Sequence, residues 1–295
     1  MSARSPEEAY RALRRLARAD GRTTQQAFEL YVHERFLARL ANSRFAERLV
    51  LKGGMLLAAL DARRATRDAD MLARGIDNDM ENLRDVVSEI AAIELTDGVG
   101  FDVERISLVT IREDAKYEGI RVVVPASLGG AVLKLRLDLS FGDLVDPQRI
   151  DYPTLLDDAV ISLLGYPLEN VIAEKAETMM ALGDANTRDR DYGDVYLLSG
   201  SYALEGESLW DALQVVTEHR GRETRQLGPL LCDATGKSPA AMGSVLRPRW
   251  PLCTARALRR GCRRGGRVPR RPSGGRRLLL GSAPASLGIA NRTVG

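Results

Sequence analysis

Asp68 and Asp70 stand two residues apart in Asp68-Ala69-Asp70-Met71-Leu72, a run that reads as a short strand. Residues two apart in a strand share a face, so both carboxylates leave the same side with their Cα atoms ~7 Å apart. Like charges at that range repel unless a cation lies between them. Magnesium suits the position, because it takes oxygen ligands and keeps sites for phosphate oxygens. Asp138 stands alone on the polar face of a second strand-like run, Val132 to Phe141, and would complete the set. Asp68, Asp70 and Asp138 are therefore the expected ligands of a Mg2+ cofactor. Taken alone, an Asp-x-Asp also reads as a solvated strand end or turn.

Lys52-Gly53-Gly54 comes first, between the apolar run Leu49-Val50-Leu51 and a short helix, Met55 to Leu60. Paired glycines between a strand and a helix let backbone N–H groups close on an anion. A plain tight turn explains the same pair.

The elements that must position these residues follow from periodicity. Ser5 caps a helix that starts at Pro6 and carries Ala9, Leu13, Leu16 and Ala17 on one stripe. Thr23 or Thr24 opens a second helix with Ala27, Leu30, Tyr31, Phe36, Leu37 and Leu40 on one face and Glu34, Arg35 and Arg39 on the other. Ile76 to Leu95 reads as an amphipathic helix, and Phe101 to Leu108 and Ile120 to Val124 as strands. In Val132 to Phe141, Leu133, Leu135, Leu137 and Leu139 alternate with Lys134, Arg136, Asp138 and Ser140, the clearest strand in the chain. Helices return at Leu168 to Leu182, Tyr192 to Ser199 and Leu209 to Glu218. The class is α+β: a small mixed sheet flanked by helices at both ends.

The 295 residues, 44% hydrophobic and 28% charged, exclude collagen-like, disulfide-scaffold and wholly disordered chains. There is no run of eighteen apolar residues and no signal-like leader, so a cytoplasmic protein is the expectation. Cys232, Cys253 and Cys262 have neither zinc spacing nor an even count. The net charge of +3 conceals a division. Pro229 to Gly295 holds 14 basic residues against one acid, Asp233, which leaves the rest acidic on balance. After Leu231 periodicity vanishes, so residues 229–295 read as a poorly ordered Arg/Gly/Pro-rich tail. Its arginines suit nucleic acid; its residue types have GC-rich codons and suit a shifted reading frame better than a selected RNA-binding arm.

The order of glycine turn, Asp-x-Asp strand and later single-Asp strand resembles the polymerase-β-like nucleotidyltransferase fold. More specific motifs follow in sequence: Glu34-Arg35-Phe36-Leu37-Ala38-Arg39-Leu40, Val50-Leu51-Lys52-Gly53-Gly54-Met55-Leu56, Arg64-Ala65-Thr66-Arg67-Asp68-Ala69-Asp70 and Asp138-Leu139-Ser140-Phe141-Gly142-Asp143. Tyr166-Pro167-Leu168-Glu169, Ile172-Ala173-Glu174-Lys175 and Asn186-Thr187-Arg188 leading into Arg190-Asp191-Tyr192-Gly193-Asp194 complete them. Over residues 10 to 228 this is similar to the AbiEii/AbiGii toxin family of nucleotidyltransferases, including MenT-type toxins. Met55 stands where many members carry a serine, and helices with which the family continues past residue 228 are not found here.

The resemblance implies four parts: an N-terminal helical segment (1–50), a nucleotidyltransferase core (51–150), a helical domain (151–228) and the tail (229–295). It implies catalytic roles for Asp68, Asp70, Lys175, Asp191 and Asp194, and nucleotide contacts from Lys52, Gly53, Gly54, Thr66 and Lys175. Two of these roles have independent chemical sense. A helical lysine facing carboxylates can neutralise charge on a phosphoryl group, and an inward aspartate can deprotonate an attacking hydroxyl. Each also has a plainer reading: Lys175 as a snorkelling edge residue, Asp191 as a helix N-cap. Arg64, Arg67, Arg188 and Arg190, with Arg63 beside them, are the arginines that would contact RNA; Arg188 and Arg190 could instead pair with those aspartates. His33, Tyr31, Phe36 and Phe45 read as packed core, and His219 as surface.

The implied activity is a toxin that transfers a nucleoside monophosphate from an NTP to RNA, a tRNA 3′ end, and so blocks translation. A cognate AbiEi-type antitoxin is the implied partner, and no membrane is. The alternatives are a non-catalytic nucleic-acid-binding protein and the same chemistry on a protein acceptor.

Overall fold

A computed structural model describes residues 3–114, 117–182 and 189–221. Helix α1 (Pro6–Ala19) begins at a capping box in which Ser5 and Glu8 satisfy each other's backbone N–H, as Pro6 and the early acids suggest. Helix α2 (Thr24–Ala41) begins at the same device, Thr23 with Gln26. Its expected polar side is not polar in the fold: Glu34, Arg35 and Arg39 are all buried. The amphipathic reading supposes water on one side, whereas α2 is covered by α1, by the strands beneath it and by α4 (Met80–Ala91). The buried charges are matched inside. Arg35 pairs with Glu34, and Arg39 reaches Asp97 at 2.6 Å and the Val99 carbonyl at 3.2 Å.

Eight strands form one mixed sheet among the described residues. They are β1 (Leu49–Lys52), β2 (Ala69–Ala73), β3 (Val99–Phe101), β4 (Ser107–Asp114), β5 (Tyr117–Leu128), β6 (Ala131–Phe141), β7 (Gln148–Pro153) and β8 (Val160–Gly165). The order is β3-β5-β6-β2-β1-β8-β7, with β4 also on β5. Strands β2 and β6 run parallel, as do β1 and β8, and the other pairs are antiparallel. The leucine face of β6 is buried as its alternation predicts.

Three expectations change. The single strand Phe101 to Leu108 is two, separated by a 3-10 turn at Val103–Arg105. The turn lets β3 and β4 pair opposite ends of the long β5. Residues 148–165, with no element assigned from sequence, supply β7 and β8, so the helical part after residue 150 starts with sheet. Strand β7 buries only Ile150 and Tyr152, too little alternation to announce itself, and β8 is a short apolar run of ambiguous period. The Gly-Gly helix α3 is also shorter than read, Gly53–Leu56.

Helices α5 (Leu168–Leu182), α6 (Asp189–Ser201) and α7 (Gly206–His219) close the described part. Ala173 and Ala176 of α5 pack on Ala212, Leu213 and Val216 of α7, which leaves the other side of α5 to face a cleft. Among the described residues, no helix is long and apolar enough to cross a membrane. The readings for residues 229–295 and for Arg188 lie outside the described residues.

Candidate active site

Four charged residues stand in one line across the sheet. Lys52 of β1 is in register with Asp70 of β2, Asp70 with Asp138 of β6, and Asp138 with Arg121 of β5. Residues opposite one another on neighbouring strands share a face. The line therefore runs cation, carboxylate, carboxylate, cation. Ala69, Met71, Leu137 and Leu139 turn the other way into the core, and that burial fixes the register that exposes the acids.

An open cleft of about 760 Å³ lies over this line. Gly53, Gly54, Asp68, Asp70 and Asp138 line it from the sheet side, Lys175 and Asp191 from the helices, and Arg64 from the connection before β2. Residues from five separated segments thus meet at one place.

The glycine turn is shaped by the acid beside it. Gly53 has φ +61°, and a Cβ there would stand 2.0 Å from Asp70 Oδ2. Both the backbone angle and the space demand glycine. A Cβ on Gly54 would come 3.0 Å from Thr66 Oγ1. Thr66 is buried and donates to the Asp68 backbone carbonyl at 3.1 Å and to its carboxylate at 3.2 Å, which fixes the start of β2.

Lys175 does more than snorkel. Its Nζ lies 2.9 Å from Asp191 Oδ1 and 2.7 Å from Asp194 Oδ2, and its side chain is only 10% exposed. Asp194 is 1% exposed and also accepts from Arg64 at 3.2 Å. Asp191 is the third residue of α6, not its cap, and its side chain lines the cleft. Their i,i+3 spacing puts both aspartates on the inward side of α6, with Leu198 fully buried a turn further on.

The remaining predicted positions are scattered in role. Lys52 lines the cleft, yet its ammonium donates to Asp143 at 2.9 Å and Glu174 at 3.1 Å. Burial opposes charge on Asp143, but Lys52 together with hydrogen bonds from Tyr166 and Ser140 outweighs it and holds the carboxyl below its ordinary value. Arg67 and Arg190 are exposed. Arg63 lies over the Tyr152 ring and pairs with Glu34, away from the cleft lining. His33 is buried, as expected. His219 is not a surface residue: it is half-buried, 3.5 Å from Asp143 Oδ1.

Sequence reasoning missed Arg121. It donates to both oxygens of Asp138, at 2.7 and 2.6 Å, and reaches Asp68 Oδ2 at 3.9 Å. The Asp138 hydrogen bonds raise its already high pKa further, against a smaller desolvation effect. The available signal was an arginine alternating with Ile120, Val122 and Val124. Glu174 and Arg220 were missed too; Arg220 pairs with Glu177, donates to Thr178 at 3.1 Å, and ties the end of α7 to the cleft wall.

Whether a divalent ion fits can be judged from the donors. Asp68, Asp70 and Asp138 offer only hard oxygen atoms on one side of the sheet, the chemistry magnesium takes. Among the described residues no three acidic, histidine or cysteine side chains close around one point. Both Asp138 oxygens accept from the Arg121 guanidinium. The donor chemistry of Asp68 and Asp70 suits magnesium, while Asp138 is engaged by Arg121.

A sequence profile described as "Nucleotidyl transferase AbiEii toxin, Type IV TA system" matches residues 35–253. By family, then, this is a nucleotidyltransferase. The chain belongs to the AbiEii toxins of type IV toxin–antitoxin systems, a membership that implies a nucleotide substrate and an antitoxin partner. The match runs on past residue 228, where the resemblance described above ends. Similar solved structures include JHP933 from Helicobacter pylori, 18% identical, covering 73% of this chain and 77% of that one with a TM-score of 0.45. An antigenic nucleotidyltransferase-like protein from Paracoccidioides brasiliensis is 14% identical, covering 75% and 93%, with a TM-score of 0.43. No curated protein sequence matches the chain.

Proposed function

We propose that this toxin transfers a nucleoside monophosphate from an NTP to RNA, at a tRNA 3′ end, with Mg2+ as cofactor. The observation that carries the reading is the convergence of Gly53, Asp68, Asp70, Lys175 and Asp191 on one cleft. Asp68, Asp70 and Asp138 would hold the ion. When bound, it supplies Lewis-acid stabilisation of charge on the phosphate oxygens.

The chain's own groups do the rest. Gly53 and Gly54 let a phosphate approach the backbone where any side chain would collide with Asp70 or Thr66. Lys175, itself nearly buried, offers positive charge to the phosphoryl group at the cleft wall. Asp194, buried between Arg64 and Lys175, keeps that ammonium aimed. Asp191 lines the cleft itself and would accept the proton of the attacking hydroxyl.

The RNA acceptor rests on the family and on local charge. Arg67 and Arg190, both solvent-facing, would take phosphates of the acceptor strand. Arg64, bonded to Asp194, belongs with the cleft instead. The antitoxin would be of the AbiEi type. Incubation with each of four labelled NTPs, total tRNA and magnesium, with products resolved by size, tests the reading. Label on tRNA-sized product supports it. Label on protein alone would move the acceptor, and no transfer with any NTP would refute it.

A further inference from the structure

We infer that the open face of β5 and β6 beyond Asp138, carrying Lys134 and Arg136, is the track along which the unpaired end of an RNA acceptor enters the cleft. The inference rests on the proposed reading that the acceptor is RNA.

Three observations carry it. Leu133, Leu135, Leu137 and Leu139 are buried, so the alternation puts Lys134 and Arg136 on the same face of β6 as Asp138, which lines the cleft. Val123 and Pro125 of β5 stand opposite Arg136 and Lys134, and Ser107 of β4 opposite Val123. This surface is open: Val132 at its end is 87% exposed, Val109 opposite Arg121 is 52% exposed, and Lys134, Ser107 and Ser127 are exposed too. Among the described residues, the Lys134 and Arg136 side chains have no carboxylate within ion-pair distance. The cations of the cleft wall differ, for Arg64, Arg121, Lys175 and Arg220 are each paired with one.

Each point has a physical consequence. Lys134 and Arg136 lead away from Asp138 in steps of about 7 Å, so a strand laid along β6 meets cations in a row rather than at one spot. Unpaired cations keep their charge for a polyanion, and in a body that is acidic on balance only such a local concentration can attract one. Val123, Pro125 and Val132 are short side chains and leave a flat surface for sugars and bases, the way other sheet faces take single-stranded RNA. None of the described residues that share this face on β4, β5 and β6 is aromatic. Stacking is therefore missing, and the track holds RNA by its backbone whatever the base sequence. The face takes the acceptor's phosphates and the cleft its terminal hydroxyl.

The test is the binding of a short fluorescein-labelled single-stranded RNA to the full chain, read by anisotropy over a series of salt concentrations without NTP. Lys134→Gln combined with Arg136→Gln should weaken binding on the order of tenfold. It should also reduce the slope of log affinity against log salt by about 1.4, since each neutralised phosphate of a single strand contributes about 0.7. Arg15→Gln combined with Arg18→Gln removes the same charge from the exposed side of α1 and should leave both quantities close to the parent's. Every variant keeps the arginines of residues 229–295, so the differences report the altered positions alone. Equal losses in the two double variants, or parental binding by a folded Lys134→Gln, Arg136→Gln protein, would overturn the track. If that protein does not fold, Lys134→Gln alone should reduce the slope by about 0.7, and an unchanged slope would overturn it. Polyglutamate binding lost in the same double variant while RNA binding stays parental would give the face to an acidic protein instead. RNA binding weakened as expected, without label transfer from any NTP to RNA, leaves the track standing and removes the proposed reaction. No RNA binding by the parent removes both.

Discussion

Gly53 and Asp70 are mutually exclusive with any larger residue at the turn, since a Cβ on Gly53 would stand 2.0 Å from Asp70 Oδ2. Gly53→Ala should therefore displace the Asp70 carboxylate as well as strain the backbone, and NTP affinity should fall at least about tenfold, ~1.4 kcal/mol. Gly21 is the control. It has φ +64° with nothing within 4 Å of a Cβ, so Gly21→Ala should cost stability alone, about 1 kcal/mol. Calorimetric NTP titration and thermal melting of both variants separate the two effects.

Asp68→Ala and Asp70→Ala should each lower label transfer by roughly a hundredfold or more, the scale of a lost electrostatic stabiliser. The fold should survive, because both side chains are partly exposed. Unreduced transfer by a folded Asp70→Ala would remove it from the chemistry.

Asp191 and Asp194 share Lys175 but not their surroundings. Asp194→Ala strips Arg64 of its carboxylate, leaves Lys175 with Asp191 alone, and should cost roughly 3 kcal/mol of stability, read by urea unfolding. Asp191→Asn, in the cleft wall, should leave the melting temperature close to the parent's and lower the maximal rate by a hundredfold or more. The reverse pattern would exchange their roles.

His33 gives the stability a pH dependence. It is completely buried; burial pushes its pKa down, and the backbone carbonyls of Glu29 and Arg136 offset only part of that. The unfolded chain then takes up a proton near pH 6.5 that the folded one refuses, so stability is full above that pH and falls as the pH drops below it, by up to ~1.4 kcal/mol per unit. Urea unfolding between pH 7 and 5 should show a shallower slope for His33→Gln than for the parent. Asp143, whose pKa is lowered, works in a different window: its contribution is present above the ordinary carboxylate range and is lost only in stronger acid.

The sequence carries the sheet centre and the acids more clearly than their neighbours. Leu133 to Leu139 alternate strictly, and that alternation fixes which way Asp138 faces. The turn at Gly53 and the strand of Asp70 are local signals of the same kind. Arg121 is different. Its partner lies on another strand, and only the antiparallel register of β5 with β6 makes them opposite. Glu34, Arg35 and Arg39 misled for a related reason: their charge predicts water, and their burial depends on ion pairs such as Arg39 with Asp97, far along the chain. Period reports what one element does alone; pairing across elements has no local signature.

The most direct measurement compares tRNA incubated with magnesium and an NTP labelled at the α-phosphate against one labelled at the γ-phosphate. Nucleotidyl transfer predicts that α-label becomes attached to the RNA while γ-label is released as pyrophosphate, with both signals lost in Asp70→Ala. RNA that acquires γ-label, or α-label acquired undiminished with Asp70→Ala, would contradict the account.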